Sequence, residues 1–157
     1  MSKVKVVLYS EEYGSQLEKL LKEFSEEVFG YGTANLETFV NSHWMIYLAL
    51  RGDEVIGFSS YTYNTYCGLR PPTVGQTYLY VQPAYRKGRA SYLLSVQAGF
   101  VSVDTNLPLE HYYASEASAS FGHNRLTGTK IYEAYLYPVE ELKREYTKVT
   151  RLFKERP

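Results

Sequence analysis

At 157 residues the chain is long enough to bury a core, and one domain spanning 1–157 is the expectation. Seventeen basic and seventeen acidic side chains cancel, so no net field draws the whole molecule toward nucleic acid. The single cysteine, Cys67, cannot close an internal disulfide, which excludes a stapled secreted scaffold.

Lys3–Tyr9 is β-branched and short, a first strand rather than a leader's apolar run, so a cytoplasmic location is expected. Ser15 and Glu18 have capping-box spacing for a helix that follows. Leu17, Leu20, Leu21, Phe24 and Val28 then form one helical stripe closed by Gly30. A second short helix is expected over residues 36–42. Residues 44–50 and 55–64 read as an antiparallel hairpin around Arg51-Gly52-Asp53-Glu54. The first of these is also the longest apolar stretch, too short to span a bilayer, so no membrane partner is expected. Pro71-Pro72 marks residues 67–72 as a loop, and a strand over 74–81 stops at Pro83.

From Ala90 the spacing becomes helical again, through Leu93, Val96, Phe100 and Val103, until Asn106-Leu107-Pro108 breaks it. A strand at 111–114, an irregular helix at 116–127, one strong strand at 129–137 and a final helix opened by Pro138 complete the chain. The order βααβββαβαβα predicts a mixed α/β domain around one twisted sheet. The last helix, with Leu152 and Phe153, covers its own sheet in a monomer or packs on a second copy in a homodimer.

Chemistry concentrates where the strand ending at Val81 passes through Gln82-Pro83-Ala84-Tyr85-Arg86-Lys87-Gly88-Arg89-Ala90-Ser91 into a helix. First-turn amides have no intrahelical acceptor, the helix dipole is positive there, and glycine lets an anion approach the backbone. Arg86, Lys87 and Arg89 add charge of the same sign; a solvated basic turn is the plain alternative. This segment resembles the pyrophosphate-binding motif of the GCN5-related N-acetyltransferase (GNAT) superfamily, Gln/Arg-x-x-Gly-x-Gly/Ala. It is similar in particular to the phage-type variant Val-x-Pro-x-Tyr-Arg-Gly-Gly-Arg-Ile-Gly. Arg86 takes the first motif position, Lys87 replaces a glycine, Gly88 and Arg89 match, and Ser91 stands at the last glycine.

The resemblance implies a GNAT-like acyl-CoA N-acyltransferase fold with acetyl-CoA as acyl donor. The donor would lie between the fourth and fifth strands, here 77–81 and 111–115. Backbone at Tyr80 and Val81 would pair with the pantetheine arm, and Arg86, Lys87, Gly88, Arg89, Ala90 and Ser91 would cradle the pyrophosphate. Asn124 is a further candidate for the cofactor arm. A primary amine, on a small molecule or a protein, would attack the thioester directly. An ammonium with a pKa of about 10.4 must first lose a proton. Residues 75–80 carry no acid where the family often has a glutamate, and Asn124 stands where many members have a tyrosine. Glu116, His123 and the phenol of Tyr80 are the substitute proton carriers, with His111 as a further titratable group.

Three scattered histidines and one cysteine have no metal-ligand spacing, so no metal is expected. The 17 tyrosines are the compositional oddity. Tyr61/Tyr63, Tyr78/Tyr80 and Tyr135/Tyr137 share strand faces by alternation. Cross-strand packing is the first reading of these pairs, and an acceptor cleft able to bind an amine or stack a modified nucleobase the second. The alternative to an enzyme is a non-catalytic GNAT-fold module binding a protein or a nucleotide-like ligand. A nucleic-acid binder is the third reading.

Overall fold

A computed structural model describes residues 3–30, 32, 34–86, 88–112, 129–131, 134–138 and 140. Its strands and helices run β1 (Val4–Leu8), α1 (Gly14–Phe29), α2 (Leu36–Ser42), β2 (Met45–Arg51), β3 (Glu54–Asn64), β4 (Thr73–Val81), α3 (Arg89–Thr105), β5 (Leu109–Tyr112), β6 (Thr129–Ile131) and β7 (Ala134–Tyr137). Hydrogen-bonded strand order is β1-β2-β3-β4-β5-β7-β6. The chain forms two compact units, Met1–Thr62 with Tyr78–Ser95, and Tyr63–Thr77 with Val96–Pro157.

In the first unit β1, β2 and β3 are antiparallel, with Val4 opposite Arg51 and Met45 opposite Tyr61. The β2–β3 register shifts between Ala49 and Leu50. Gly52, at φ 63°, makes the tight turn between Arg51 and Glu54. Leu17, Leu20, Leu21 and Phe24 of α1 are buried against Ile46, Leu48, Leu50, Val55, Phe58 and Tyr80. Val28, the last residue of the expected stripe, is 47% exposed instead. Gln16 ties α1 to the hairpin, accepting from the Val55 amide at 2.9 Å and donating to the Asp53 carbonyl at 3.1 Å. A separate cluster, Ala49, Ile56, Val81, Ala90 and Leu94, packs under the start of α3.

Gly57 is needed here, because a Cβ at that position would lie 2.8 Å from the Tyr80 carbonyl oxygen and 3.2 Å from Leu94. Backbone and helix approach β3 too closely for any side chain.

In the second unit β4 pairs with β5 in parallel, Val74–Gln76 against Leu109–His111. β5 is antiparallel to β7, and β7 to β6. The buried Glu110 carboxylate accepts from Thr73 Oγ1 at 2.9 Å and from Arg70 Nη2 at 3.2 Å. The Arg70 guanidinium lies 3.6 Å from the centroid of the Tyr66 ring, whose hydroxyl is 3.2 Å from Thr73 Oγ1. These contacts hold the β3–β4 loop to the beginning of β5.

Several local expectations are corrected. Ser15 does not cap α1: a 3-10 turn over Glu11–Tyr13 feeds into the helix, Gly14 opens it, and no side chain caps its start. Gly30 does close it, in the left-handed conformation at φ 81°. α2 is capped as its position suggests, the Asn35 side chain accepting from the Thr38 amide at 3.0 Å. On α3 the buried apolar positions are Ala90, Leu94, Ala98 and Val101, not Leu93, Val96, Phe100 and Val103. That helix is apolar around most of its circumference, so spacing alone does not choose the face. The strand expected over 129–137 is two strands that pair with each other, with Ile131 opposite Ala134. The irregular helix at 116–127 lies outside the described residues, as does nearly all of the final helix.

Candidate functional site

The segment between β4 and α3 is braced on three sides, all within the first unit. The Gln82 amide donates to the Ile56 carbonyl of β3 at 2.9 Å, and its side-chain amide donates to Glu23 of α1 at 3.3 Å. A 3-10 turn, Pro83–Tyr85, follows. Arg51 of β2 donates to the Tyr85 hydroxyl at 3.3 Å and lies 5.4 Å from that ring's centroid. Arg86 donates through Nε to the Val81 carbonyl at 2.9 Å and through Nη2 to the Glu27 carboxylate. The guanidinium also stands over the Tyr80 ring, 5.4 Å from its centroid.

Glu23 and Glu27 are one helical turn apart on α1, and Gln82 and Arg86 are four residues apart in the loop. Two rungs therefore join helix to loop. Glu27 lies in the last turn of a helix that has no basic residue there, where a carboxylate opposes the dipole. Arg86 supplies the missing cation from outside. The hydrogen bond from Arg86 is the main reason the Glu27 carboxyl titrates below its ordinary value.

The turn into α3 is then closed by backbone. The Gly88 amide donates to the Tyr85 carbonyl at 3.1 Å, and Ser91 Oγ donates to the Arg86 carbonyl at 3.1 Å. A Cβ on Gly88 would meet only the Tyr85 carbonyl oxygen, at 3.3 Å. The first-turn amides of α3 thus begin at an exposed turn with no bulky side chain on Gly88, flanked by the exposed Arg89. Such a donor set suits a phosphate or pyrophosphate.

Val81 of β4 and Ala90 of α3 are buried in one cluster, while Gly88 and Arg89 are exposed. Lys87, Glu116, His123 and Asn124 lie outside the described residues. Tyr80 is 6% exposed, its ring packed 5.6 Å from Phe24 and 6.0 Å from Phe58 and lying under the Arg86 guanidinium. Burial, then the Glu27 charge, raises its pKa. That position argues against Tyr80 as the proton carrier and for Tyr80 as part of the brace. Arg86 is likewise turned to Glu27 and Val81, so its charge is engaged inside the protein.

Two features escaped the sequence reading. Gln76 on β4 is 1% exposed, and neither atom of its side-chain amide has a hydrogen-bond partner. Native structures seldom leave such a group unpaired, at a cost of about 1–3 kcal/mol. His43, just past α2, stacks 4.4 Å from Phe39 and meets the Tyr78 ring at 6.0 Å. Its signal was the Phe39–His43 spacing of one helical turn. Among the described residues no group of three or more His, Cys, Asp and Glu side chains could hold a metal, and no helix is long and apolar enough to cross a membrane.

No protein-family model matches the sequence, and neither does any curated protein. Solved structures do. A GNAT-family acetyltransferase from Staphylococcus aureus Mu50 superposes with a TM-score of 0.64 at 12% identity, over 87% of this chain and 98% of its own. AtaTR bound with AcCoA gives 0.70 at 13% identity, over 92% and 98%. The PaiA N-acetyltransferase from Thermoplasma acidophilum in complex with coenzyme A gives 0.60 at 12% identity, over 85% and 96%. The chain therefore has the mixed α/β fold of the GNAT acetyltransferases, as its β4–loop–α3 motif suggested.

Proposed function

We propose that the chain is an acyl-CoA-dependent N-acyltransferase, a single domain that moves an acetyl group from acetyl-CoA to a primary amine by direct attack. One observation carries the reading. On a fold shared with acetyltransferases, the turn from β4 into α3 is built to present first-turn amides, Gly88 and Arg89 to an anion. Two of the structural neighbours hold AcCoA or coenzyme A, and the same donor would lie here with its pyrophosphate on residues 87–91. Lys87 and Arg89 supply the charge and Ser91 locks the turn. Arg86 positions the loop rather than touching phosphate.

Glu116 and His123 keep their places as proposed proton carriers and Asn124 as a contact to the cofactor arm. The acceptor is a small-molecule or protein amine, with a modified nucleobase as the further possibility.

The test is the melting temperature with and without acetyl-CoA. Ligand at a hundred times its dissociation constant adds about 2.7 kcal/mol of stability. Gly88→Glu, which sets a carboxylate in the cradle, abolishes the shift while leaving the unliganded protein folded. An unshifted parent protein would refute the assignment.

A second reading is favoured by one fact: the β4 segment 75–80 has no acidic residue. On that reading the fold binds a protein or nucleotide-like ligand without turnover. Stabilisation by acetyl-CoA without thiol release across a panel of amines would establish it.

A further inference from the structure

Tyr85 and Arg86 are neighbours in the turn after β4, yet they are fastened on opposite faces of the sheet. Leu48 and Leu50 of β2 lie in the cluster under α1, whereas Ala49 lies in the cluster under α3, because strand side chains alternate. Tyr85 packs against the α3 cluster, with Val81, Ala90 and Leu94. Arg86 reaches the other way, over the Tyr80 ring and onto Glu27 of α1. Each side chain therefore holds the same stretch of backbone from a different side.

The turn itself is made on the Tyr85 backbone. Its amide donates to the Gln82 carbonyl at 2.9 Å, and its carbonyl accepts from the Gly88 amide at 3.1 Å. That carbonyl oxygen is also the atom a Cβ on Gly88 would meet. Where Tyr85 sits thus decides where Gly88 sits, and with it the aim of the amides of residues 89–91. The Tyr85 ring is partly buried and carries a polar tip that needs a partner. Arg51, the last residue of β2, supplies one: Nη1 donates to the hydroxyl at 3.3 Å, with the guanidinium 5.4 Å from the ring centroid. Among the described residues no carboxylate lies within ion-pair distance of Arg51. Its backbone is paired on both sides, with Val4 of β1 and Glu54 of β3. The sheet, not the loop, sets the position of this anchor.

We propose that Arg51 is a positioning residue for the acyl-CoA donor: through the Tyr85 hydroxyl it sets the turn that presents the amides of residues 89–91 to the pyrophosphate. The inference rests on the acyltransferase reading. A turn already set spares the cost of ordering it on binding, so the pair acts on donor affinity and not on the chemical step. One hydrogen bond between a charged donor and a phenol, expressed in that way, is about three- to ten-fold in affinity.

The experiment compares the parent protein with Arg51→Met, Arg51→Lys, Tyr85→Phe and the double variant Arg51→Met/Tyr85→Phe. Calorimetry gives the Kd for acetyl-CoA, thermal melts give the unliganded Tm, and thiol release gives kcat and KM. Arg51→Met and Tyr85→Phe should each weaken acetyl-CoA about three- to ten-fold and raise KM by the same factor, with kcat at saturating donor within about two-fold of the parent. The double variant should bind no more weakly than the poorer single one, because the contact can be lost only once. Arg51→Lys keeps a cation and a donor for the hydroxyl, and should recover part of the loss. Variants that melt lower yet bind acetyl-CoA like the parent show a merely structural contact and overturn the proposal. A Tyr85→Phe variant at parent affinity beside a weakened Arg51→Met shows the guanidinium touching the ligand itself, and overturns it as well. A parent protein that acetyl-CoA does not stabilise removes the acyltransferase reading; a stabilised parent whose variants all bind as tightly removes this inference alone.

Discussion

The Glu27–Arg86 pair is the sharpest place to test whether the loop after β4 is held or merely charged. Both side chains are partly open, at 43% and 41%, so the pair itself is worth about 0.2–1 kcal/mol. Glu27→Gln removes that attraction, but it also removes a carboxylate from the last turn of α1, where relief from the dipole returns about 0.3–1 kcal/mol. The two effects oppose, and the lowered folded pKa of Glu27 says the pair is the larger, so this variant should unfold slightly below the parent temperature. Arg86→Met has no such compensation. It deprives the Val81 carbonyl of its Nε donor and leaves Glu27 unopposed at the helix end, a loss of about 1–2 kcal/mol. For a chain of this length that is roughly 2–8 °C in Tm. The double variant should lie close to Arg86→Met, because the pair can be lost only once.

Binding then separates positioning from contact. If Arg86 pre-orders the turn, Glu27→Gln weakens acetyl-CoA about two- to five-fold, the pair's coupling expressed as affinity. If the guanidinium were a phosphate ligand held back by Glu27, the same substitution would release it and tighten binding. Thermal melts of the four proteins, with and without acetyl-CoA, give both readings. Tighter binding by Glu27→Gln would refute the positioning argument, and a Glu27→Gln variant as unstable as Arg86→Met would refute the energetics.

Three further outcomes follow from the same contacts. Glu27 titrates below its ordinary 4.5 when folded, so its stabilisation is present above that value and is lost as pH falls through the folded pKa; stability curves of the parent and Glu27→Gln should converge in acid and differ in shape only below about pH 4.5. Gly57→Ala forces a methyl 2.8 Å from the Tyr80 carbonyl oxygen and should cost about 1–3 kcal/mol in urea unfolding, whereas the half-buried Gly99, with nothing within 4 Å of its Cβ, should accept alanine without loss. Glu110→Ala strips Thr73 and Arg70 of their shared acceptor and should cost about 1–3 kcal/mol, with Glu110→Gln losing less because it still accepts from Thr73.

Element order was legible because hydrophobic period and punctuation agree through most of the chain. The α1 stripe ends at a glycine, Gly52 turns the hairpin, and Pro83 ends a strand just before a basic turn. Failures came where a local signal had two physical uses. Ser15 and Glu18 match a capping box, yet the 3-10 turn starting at Glu11 begins the helix before them. α3 is apolar on several faces, so its buried positions are chosen by what packs on it. The pair break inside 129–137 has no glycine or proline to announce it.

The same ambiguity explains the candidate site. A basic loop reports that an anion is near, but charge does not distinguish a phosphate from the carboxylate of a neighbouring helix. Arg86 faces the carboxylate, while the amides that follow it have the geometry for a phosphate. The tyrosines divide in a similar way. Tyr61 is fully buried and bonded to Ser59, and Tyr80 is buried in the brace, whereas Tyr63 and Tyr78 on the same two strands remain open. Phenols here are therefore core residues that still carry a polar tip, which lets a sheet stay partly wet without leaving hydroxyls unpaired. Tyr78 is the open one that packs against the α2 end. It stands next to His43 there, and no composition or spacing could show that pairing, because Phe39, His43 and Tyr78 meet only when α2 folds over β4.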